Sequence, residues 1–450
     1  MKSQHGTSAG VRERIVDNAT LTAREKTEAT EDPEPAMEQP APARDDPYAV
    51  LRIPAYRLYL AGHIANILGG QIQAVAVGWE VYQRTNSALA LGTVSLVQFL
   101  PIVLLTLPAG QTADRFDRKR QALAALGLFT VNSLALALIS AGYGPLSLMY
   151  VCLLLFGVGR AFLGPARTAL LPQIVPREIF SRAVTWNING FMIASMAGPA
   201  LGGALIAWTG SATANYICAS LGALIFFILM LGIKGTERAE APAALSRAGF
   251  VAGIRYVWET KVILGAMTLD LFAVLLGGAT ALMPIYARDI LHVGPRGLGW
   301  LLAAPSIGAV LTGFLLAHRP PAEKAGRTLL IAVTGFGMAT IVFGFSRSFW
   351  FSLLLLFLMG VFDTFSVVIR HTLVQTLTPD HMRGRVSSVF GLFVGTSNEL
   401  GGAESNYLAA FAGPVFSVVA GGIGTILVVI SVACAWPQLR DYHGEVDGRR

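Results

Sequence analysis

Charged residues are scarce in this sequence, and histidine and cysteine are scarcer still. Only 14% of the 450 residues are charged and the mean hydropathy is +0.57, whereas a soluble protein has about 25% charged residues. The 7 histidines and 3 cysteines form no metal-ligand, redox or disulfide pattern. These shortages exclude a cytosolic enzyme, a nucleic-acid-binding protein and a disordered protein, and they imply no cofactor.

Long apolar runs take the place of the missing charges. From Pro54 onward the runs have about 20 residues or more, the length that crosses ~30 Å of hydrocarbon. They are too long for barrel strands and lack their alternation, so helices must satisfy the backbone. The sequence predicts an all-α membrane protein with twelve spans, at 55–80, 87–110, 119–140, 145–168, 180–208, 211–233, 262–289, 296–317, 327–346, 348–376, 381–410 and 413–436.

The polar segments indicate how the chain is oriented. Residues 1–48 are acidic and rich in Pro and Glu, without a signal peptide, and are predicted to be a disordered cytoplasmic tail. If both termini are cytoplasmic, 29 of the 34 basic residues lie in the tails and inner loops. This bias is the positive-inside pattern, so the basic residues set topology and indicate no nucleic-acid partner.

An internal repeat divides the spans six and six. The polar segment 234–261 is predicted to be a cytoplasmic linker between an N-terminal half, 49–233, and a C-terminal half, 262–437, followed by a tail at 438–450. Two pseudo-symmetric six-helix halves are a known transporter plan. A shift of 203 residues pairs Gly157 with Gly360, Arg167 with Arg370, Leu170 with Leu373, Pro176 with Pro379, Arg182 with Arg385 and Gly198 with Gly401.

The loop between the second and third spans carries Gly110, Asp114, Arg115, Arg118, Lys119 and Arg120. It resembles the G-x-x-x-D-R-x-x-R-[RK] loop of the major facilitator superfamily. That resemblance implies a cytoplasmic latch, in which Asp114 holds the N-terminal half to the start of span eleven, near residues 383–388. The corresponding second-half loop, residues 313–327, lacks the Asp, so we expect a one-sided latch.

Spans four and five carry two further patterns of the same superfamily. Arg160, with a glycine four residues later, resembles the fourth-helix Arg that antiporters use for proton coupling or substrate contact. The alternative is an Arg paired with a backbone carbonyl or with water at the inner end. Span five resembles the antiporter pattern G-P-x-x-G-G-x-L at Gly198, Pro199, Gly202 and Gly203, whose glycines would pack closely against the other half.

Four acidic residues remain inside apolar spans: Asp270, Asp363, Glu399 and Glu404. Such residues are expensive in a membrane and are candidate proton-coupling sites. Asp363 is the repeat counterpart of Arg160, and it lies seven residues before Arg370. We therefore expect Arg160 and Asp363 to face a central cavity, with an Asp363–Arg370 salt bridge as the alternative.

For the other three of these acidic residues the sequence leaves alternative roles open. Asp270 could instead pair with a neighbouring helix end. Glu399 and Glu404 are five residues apart, so at most one of them faces the cavity well. His63, Glu80, Arg288 and Asp289 are expected to be interfacial.

The resemblance covers residues ~50–437 and is strongest to a bacterial exporter group of siderophore and macrolide efflux proteins. It rests additionally on Gly78–Tyr82, Asn86–Gly92, Leu171–Pro176 and Arg383–Val386. It implies a monomer in the bacterial inner membrane that exchanges protons for a drug-like or siderophore-like molecule by alternating access. The alternatives are nutrient uptake by facilitation or proton symport, and a lipid translocator or non-transporting sensor. An enzyme is not expected, because no catalytic motif is present.

Overall fold

Long apolar helices form both halves of the chain. A computed structural model describes residue 46 and residues 48–115, 117–233, 247–318 and 324–442. The predicted tail at 1–48 lies outside them except for residues 46 and 48, as do 234–246 of the linker and 443–450. The N-terminal half contains α1 (Pro54–Thr85), α2 (Ala88–Arg115), α3 (Arg118–Ala141), α4 (Leu146–Ile174), α5 (Phe180–Thr209) and α6 (Thr213–Leu231).

The second half begins with a helix inside the predicted linker, α7. Its helices are α7 (Arg247–Glu259), α8 (Lys261–Leu276), α9 (Gly294–Ala317), α10 (Ala325–Phe345), α11 (Phe349–Leu377), α12 (Asp380–Ala412), α13 (Pro414–Ala435) and the short α14 (Pro437–Arg440). The linker and the C-terminal tail are therefore partly helical. Leu439 of α14 is fully buried in a cluster with α8 and α10, whereas the sequence predicted a tail there.

Local sequence explains where several helices begin and end. Asn86 and Gly210 adopt left-handed backbone conformations directly after α1 and α5 and close their last turns. The Asp117 carboxylate accepts hydrogen bonds from the backbone amides of Lys119 and Arg120, and so caps the start of α3. Short connections of this kind force consecutive helices to run antiparallel.

Twelve membrane-crossing segments result. Eleven segments of the described chain are long and apolar enough to cross a membrane. The twelfth is α12, whose 33 residues are amply long but more polar. It packs against α2, α8, α13 and α7, so its polar side chains need not face lipid.

The seventh span is broken, which the sequence analysis did not predict. After α8 the backbone passes Gly277 and Gly278, then forms a 3-10 helix over Ala279–Leu282 and a π-helix over Tyr286–Ile290. A Cβ on Gly278 would lie 2.4 Å from the carbonyl oxygen of Gly401, so this close approach to α12 requires glycine. Irregular backbone at membrane depth is tolerated where protein or a cavity surrounds it.

The duplication is visible in helix packing. In the N-terminal half α1 packs on α5 and α6, α4 on α2 and α3, and α3 on α6. In the C-terminal half the equivalent helices repeat every one of these pairs: α8 with α12 and α13, α11 with α9 and α10, and α10 with α13. The halves meet mainly through α5 against α9 and α2 against α12, which are themselves related by the repeat.

Candidate substrate cavity and ionisable network

A cavity of about 300 Å³ lies between the two halves. Helices α1, α2, α4 and α5 form one side of it, and the broken seventh span, α9 and α12 form the other. This size is at the lower limit of common small-molecule sites. Neutral hydrogen-bonding side chains contribute its polar surface: Gln71, Gln73, Ser95, Gln98, Ser195, Thr280, Ser306 and Asn406.

Part of this polar surface is already occupied by internal hydrogen bonds. Gln71 donates to Ser195 at 3.0 Å, and Ser133 donates to Gln73 at 2.6 Å. Asn406 donates to the carbonyl of Gly402, but its buried Oδ1 has no partner among the described residues. A buried acceptor without a partner is costly, and it is suited to a ligand donor.

The two ends of the bundle are named from α1. The end near Pro54, where α1 starts, is the basic end, and the end near Thr85, where α1 stops, is the far end. Glycine contacts close the far end. A Cβ on Gly203 of α5 would lie 2.3 Å from the carbonyl oxygen of Pro295, and one on Gly299 of α9 would lie 2.6 Å from that of Pro199. Of the predicted antiporter glycines, Gly203 thus contacts the other half.

The other two glycines of that motif serve the N-terminal half itself. A Cβ on Gly198 would lie 2.5 Å from the Gln71 Cβ, and one on Gly202 would lie 3.2 Å from the Ile72 Cα. Both contacts are with α1, so only part of the motif forms the interface between halves. Pro199 lines the cavity.

Polar contacts also join the halves at the far end. The Tyr82 hydroxyl donates a hydrogen bond to Asp289, and Arg288 donates to the Tyr82 carbonyl at 3.3 Å. The Arg288 guanidinium lies 5.6 Å from the centre of the Tyr82 ring. Arg288 and Asp289 therefore take part in an interhelical contact as well as lying near a span end.

The basic end is open by comparison. Among the described residues, no atom outside the glycine's own stretch of helix lies within 4 Å of the position that a Cβ would take on Gly110 of α2 or on Gly384, Gly391 and Gly395 of α12. The same two helices are in contact toward the far end, where a Cβ on Gly92 would lie 3.2 Å from Asn406. The helices α2 and α12 therefore diverge toward the basic end.

Arg160 forms an ion pair that crosses between the halves. Its Nη1 lies 2.8 Å from the Glu399 Oε1, and the two side chains are 41% and 23% exposed. Arg160 lies opposite the exposed stripe Val151, Leu154 and Leu155 of α4, so its exposure is to the opening between helices. Arg160, which the repeat relates to Asp363, thus forms its ion pair with Glu399 of α12.

Asp363 also faces an internal opening. Its side chain is exposed although it shares a helix face with the buried Gly360 and Arg370 and is opposite the exposed Leu354 and Val368. The alternative interpretation, an Asp363–Arg370 salt bridge, is not what the structure shows, because Arg370 has another partner. Arg370 donates to Asp270 of α8, with both side chains almost fully buried, and Asp363 is close enough to interact electrostatically with both.

Glu404 is separate from these pairs. It accepts a hydrogen bond from the neighbouring Ser405 at 3.3 Å and is half-buried. Glu399 and Glu404 therefore have different partners, Arg160 for the first and Ser405 for the second.

The predicted latch loop is only partly described, since the side chains of Asp114 and Arg115 lie outside the described residues. The Lys119 ammonium donates to the carbonyls of Leu231 and Ile233 at 3.2 and 2.6 Å, and so stabilises the end of α6. Arg118 is half-buried and Arg120 is exposed, 3.6 Å from Asp117. The described basic residues thus have contacts within the N-terminal half, while the latch itself stays a prediction.

Two residues that were expected to be interfacial are buried. Glu80 accepts hydrogen bonds from Arg84 and from Tyr216, and only 6% of it is exposed. His63 is 3% exposed and contacts Arg167. The repeat contained a signal for the contact between His63 and Arg167. Arg167 corresponds to Arg370, whose partner likewise lies on the first span of its half.

Two pseudo-symmetric six-helix halves, a cavity between them and ionisable pairs at membrane depth define a transporter of the major facilitator superfamily. The family described as transmembrane secretion effector matches residues 45–443, and the chain belongs to this family.

The relatives are efflux proteins by name. The chain is 30% identical over 389 residues to the multidrug efflux pump Tap of Mycolicibacterium fortuitum, covering 83% of this chain and 93% of that protein. It is 26% identical over 393 residues to the enterobactin exporter EntS of Citrobacter koseri, covering 86% and 93%. An inward-facing, occupied bacterial homologue of the lysosomal transporter Spinster has the same fold, with a TM-score of 0.67, 15% identity and coverage of 88% and 98%.

Proposed function

We propose that this protein exports drug-like or siderophore-like organic molecules across the bacterial inner membrane in exchange for protons. The main support is the cavity between two pseudo-symmetric halves, which contact each other at the far end and diverge at the basic end. The names of the relatives support export over nutrient uptake.

The orientation follows from charge. Positive residues concentrate at the basic end, which therefore faces the cytoplasm with both termini. The described conformation is then inward-facing, and a molecule enters the cavity from the cytoplasmic side. Outward release requires α5 and α9 to separate at Gly203 and Gly299, while α2 and α12 approach each other at the basic end.

Proton coupling is assigned to the C-terminal half. Asp363 faces the opening and lies beside the buried Asp270–Arg370 pair, so a proton taken up by Asp363 changes the electrostatic environment of that pair. The ion pair of Arg160 and Glu399 joins the two halves between the cavity and the basic end. Its geometry therefore changes when the halves move relative to each other. Transport itself requires one protein chain and a small-molecule substrate.

The test is uptake of an externally added fluorescent drug by everted membrane vesicles that contain the protein, because the cytoplasmic face of these vesicles is on the outside. Addition of an energy source that acidifies the lumen is expected to drive drug into the lumen, and an ionophore that collapses the pH gradient is expected to stop it. Drug movement that is indifferent to the gradient contradicts proton coupling. Accumulation of a nutrient by intact cells would instead establish uptake.

A further inference from the structure

Arg167 of α4 has an unusual partner for an arginine at membrane depth. Its Nη1 lies 3.3 Å from the Nδ1 of His63 on α1. The His63 ring is held by Tyr59, at a centroid distance of 5.8 Å, and by Phe226, at 6.2 Å. A neutral imidazole nitrogen accepts a hydrogen bond and orients the guanidinium, but it does not compensate the positive charge.

In the C-terminal half the positive charge of the equivalent arginine is compensated by a carboxylate. Arg370, the counterpart of Arg167, binds the carboxylate of Asp270, which comes from the first span of its own half. In the N-terminal half the partner also comes from the first span, but it is His63, one helical turn before Ile67, the position that the 203-residue shift pairs with Asp270. Within the parts of the chain that the structure describes, no carboxylate lies within ion-pair distance of Arg167.

Both residues lie on the helix faces that continue the cavity toward the basic end. His63 is seven residues from Gly70, and Arg167 is fourteen residues from Leu153; Gly70 and Leu153 both line the cavity. Multiples of seven residues keep side chains on nearly the same face. Arg167 is partly exposed and lies 11 residues, or ~16 Å of helix, beyond the cavity residue Phe156.

We propose that Arg167, oriented by His63, binds a carboxylate-like anionic group of the transported molecule on its way from the basic end to the cavity. The inference rests on the proposed export function and names its substrate class as organic anions. A guanidinium suits this task because its planar donors bind a carboxylate through two hydrogen bonds. The neutral cavity beyond it then receives the remainder of the molecule.

The experiment compares fluorescein with its methyl ester, which lacks the carboxylate. Binding to the full-length protein in neutral detergent is measured by fluorescence anisotropy. The wild type is expected to bind fluorescein at least tenfold more tightly than the ester. Arg167→Gln is expected to remove this preference by weakening fluorescein binding at least tenfold, with a change of less than twofold for the ester.

His63→Asp is the more specific variant, because it places a carboxylate beside Arg167 as the C-terminal half does beside Arg370. It is expected to abolish the preference for fluorescein while the fold is retained, and Arg167→Lys is expected to keep part of that preference. Arg347→Gln, at an exposed position at the far end of the bundle, serves as the control and should change neither the affinity for fluorescein nor that for the ester.

Equal losses for both probes in Arg167→Gln, or an unchanged preference in His63→Asp, would overturn the inference. Displacement of fluorescein by phosphatidylglycerol, with no selectivity in transport, would also overturn it, because the anion would then be a lipid headgroup. Transport in proteoliposomes is measured separately. Selective binding without any transport leaves the anion site standing and contradicts the proposed function instead.

Discussion

Gly203 is the residue at which a single methyl group should change the conformational equilibrium. In the described state a Cβ at this position would lie 2.3 Å from the Pro295 carbonyl oxygen and 2.8 Å from the Gly299 Cα, both in the opposite half. The contacted atoms belong to backbone, so they cannot yield by a rotamer change. Gly203→Ala therefore penalises the state whose far end is closed, and relief comes from separation of α5 and α9.

The size of the effect follows from overpacking. An additional methyl group in a well-packed site costs about 1–3 kcal/mol. Since about 1.4 kcal/mol corresponds to a factor of ten in an equilibrium constant, the ratio of the far-end-open to the far-end-closed state should rise by about 5- to 150-fold if the open state accommodates the methyl. We expect slower efflux, because in the proposed orientation the far-end-closed state is the one that loads substrate, and it becomes less populated.

The assay is the distance between spin labels at Trp208 and Arg296, two exposed positions near the far ends of α5 and α9. The labels are placed in a variant without native cysteines. The Gly203→Ala substitution should increase the share of long distances. Gly313→Ala is the matched control, since no described atom from another part of the chain lies within 4 Å of a Cβ on this helical glycine of α9. Identical distance distributions and efflux rates for both variants would refute the reasoning.

Three further predictions concern the ionisable network. Arg160→Glu and Glu399→Arg should each lower efflux, and the double variant, in which the two residues are exchanged, should restore part of it. Because both side chains are partly exposed, the interaction energy between the two positions should be about 1 kcal/mol. Asp270→Asn strands the buried guanidinium of Arg370 and should lower the free energy of unfolding by about 3 kcal/mol, visible as a lower Tm in detergent. Asp363→Asn should leave Tm and drug binding near wild type but make efflux insensitive to a pH gradient, and an unchanged gradient response would exclude Asp363 from coupling.

Much of the architecture could be predicted from the sequence because lipid imposes simple rules. Helix lengths follow the bilayer thickness, and the shift of 203 residues already related Arg160 to Asp363 and Arg167 to Arg370. The break in the seventh span was missed, although Gly277 and Gly278 are adjacent in the sequence. Glycine pairs are common in such spans, so the pair alone does not indicate a break.

The ion pairs could not be predicted in the same way. Arg160 is 239 residues from Glu399, and Arg370 is 100 residues from Asp270. Which carboxylate reaches which guanidinium depends on how helices cross, and a crossing is set by small-residue contacts such as Gly203 against Gly299. The burial of His63 beside Arg167 has the same origin.

The sequence by itself determined the class of this protein, its twelve spans and its duplication, because these depend on hydrophobicity and periodicity, which are additive along the chain. Only the tertiary structure decided which ionisable groups compensate each other and which face an opening. Electrostatic compensation acts over a few ångströms between helices that are distant in sequence. For that reason two arginines in equivalent repeat positions can have different partners, a buried aspartate for Arg370 and a histidine for Arg167.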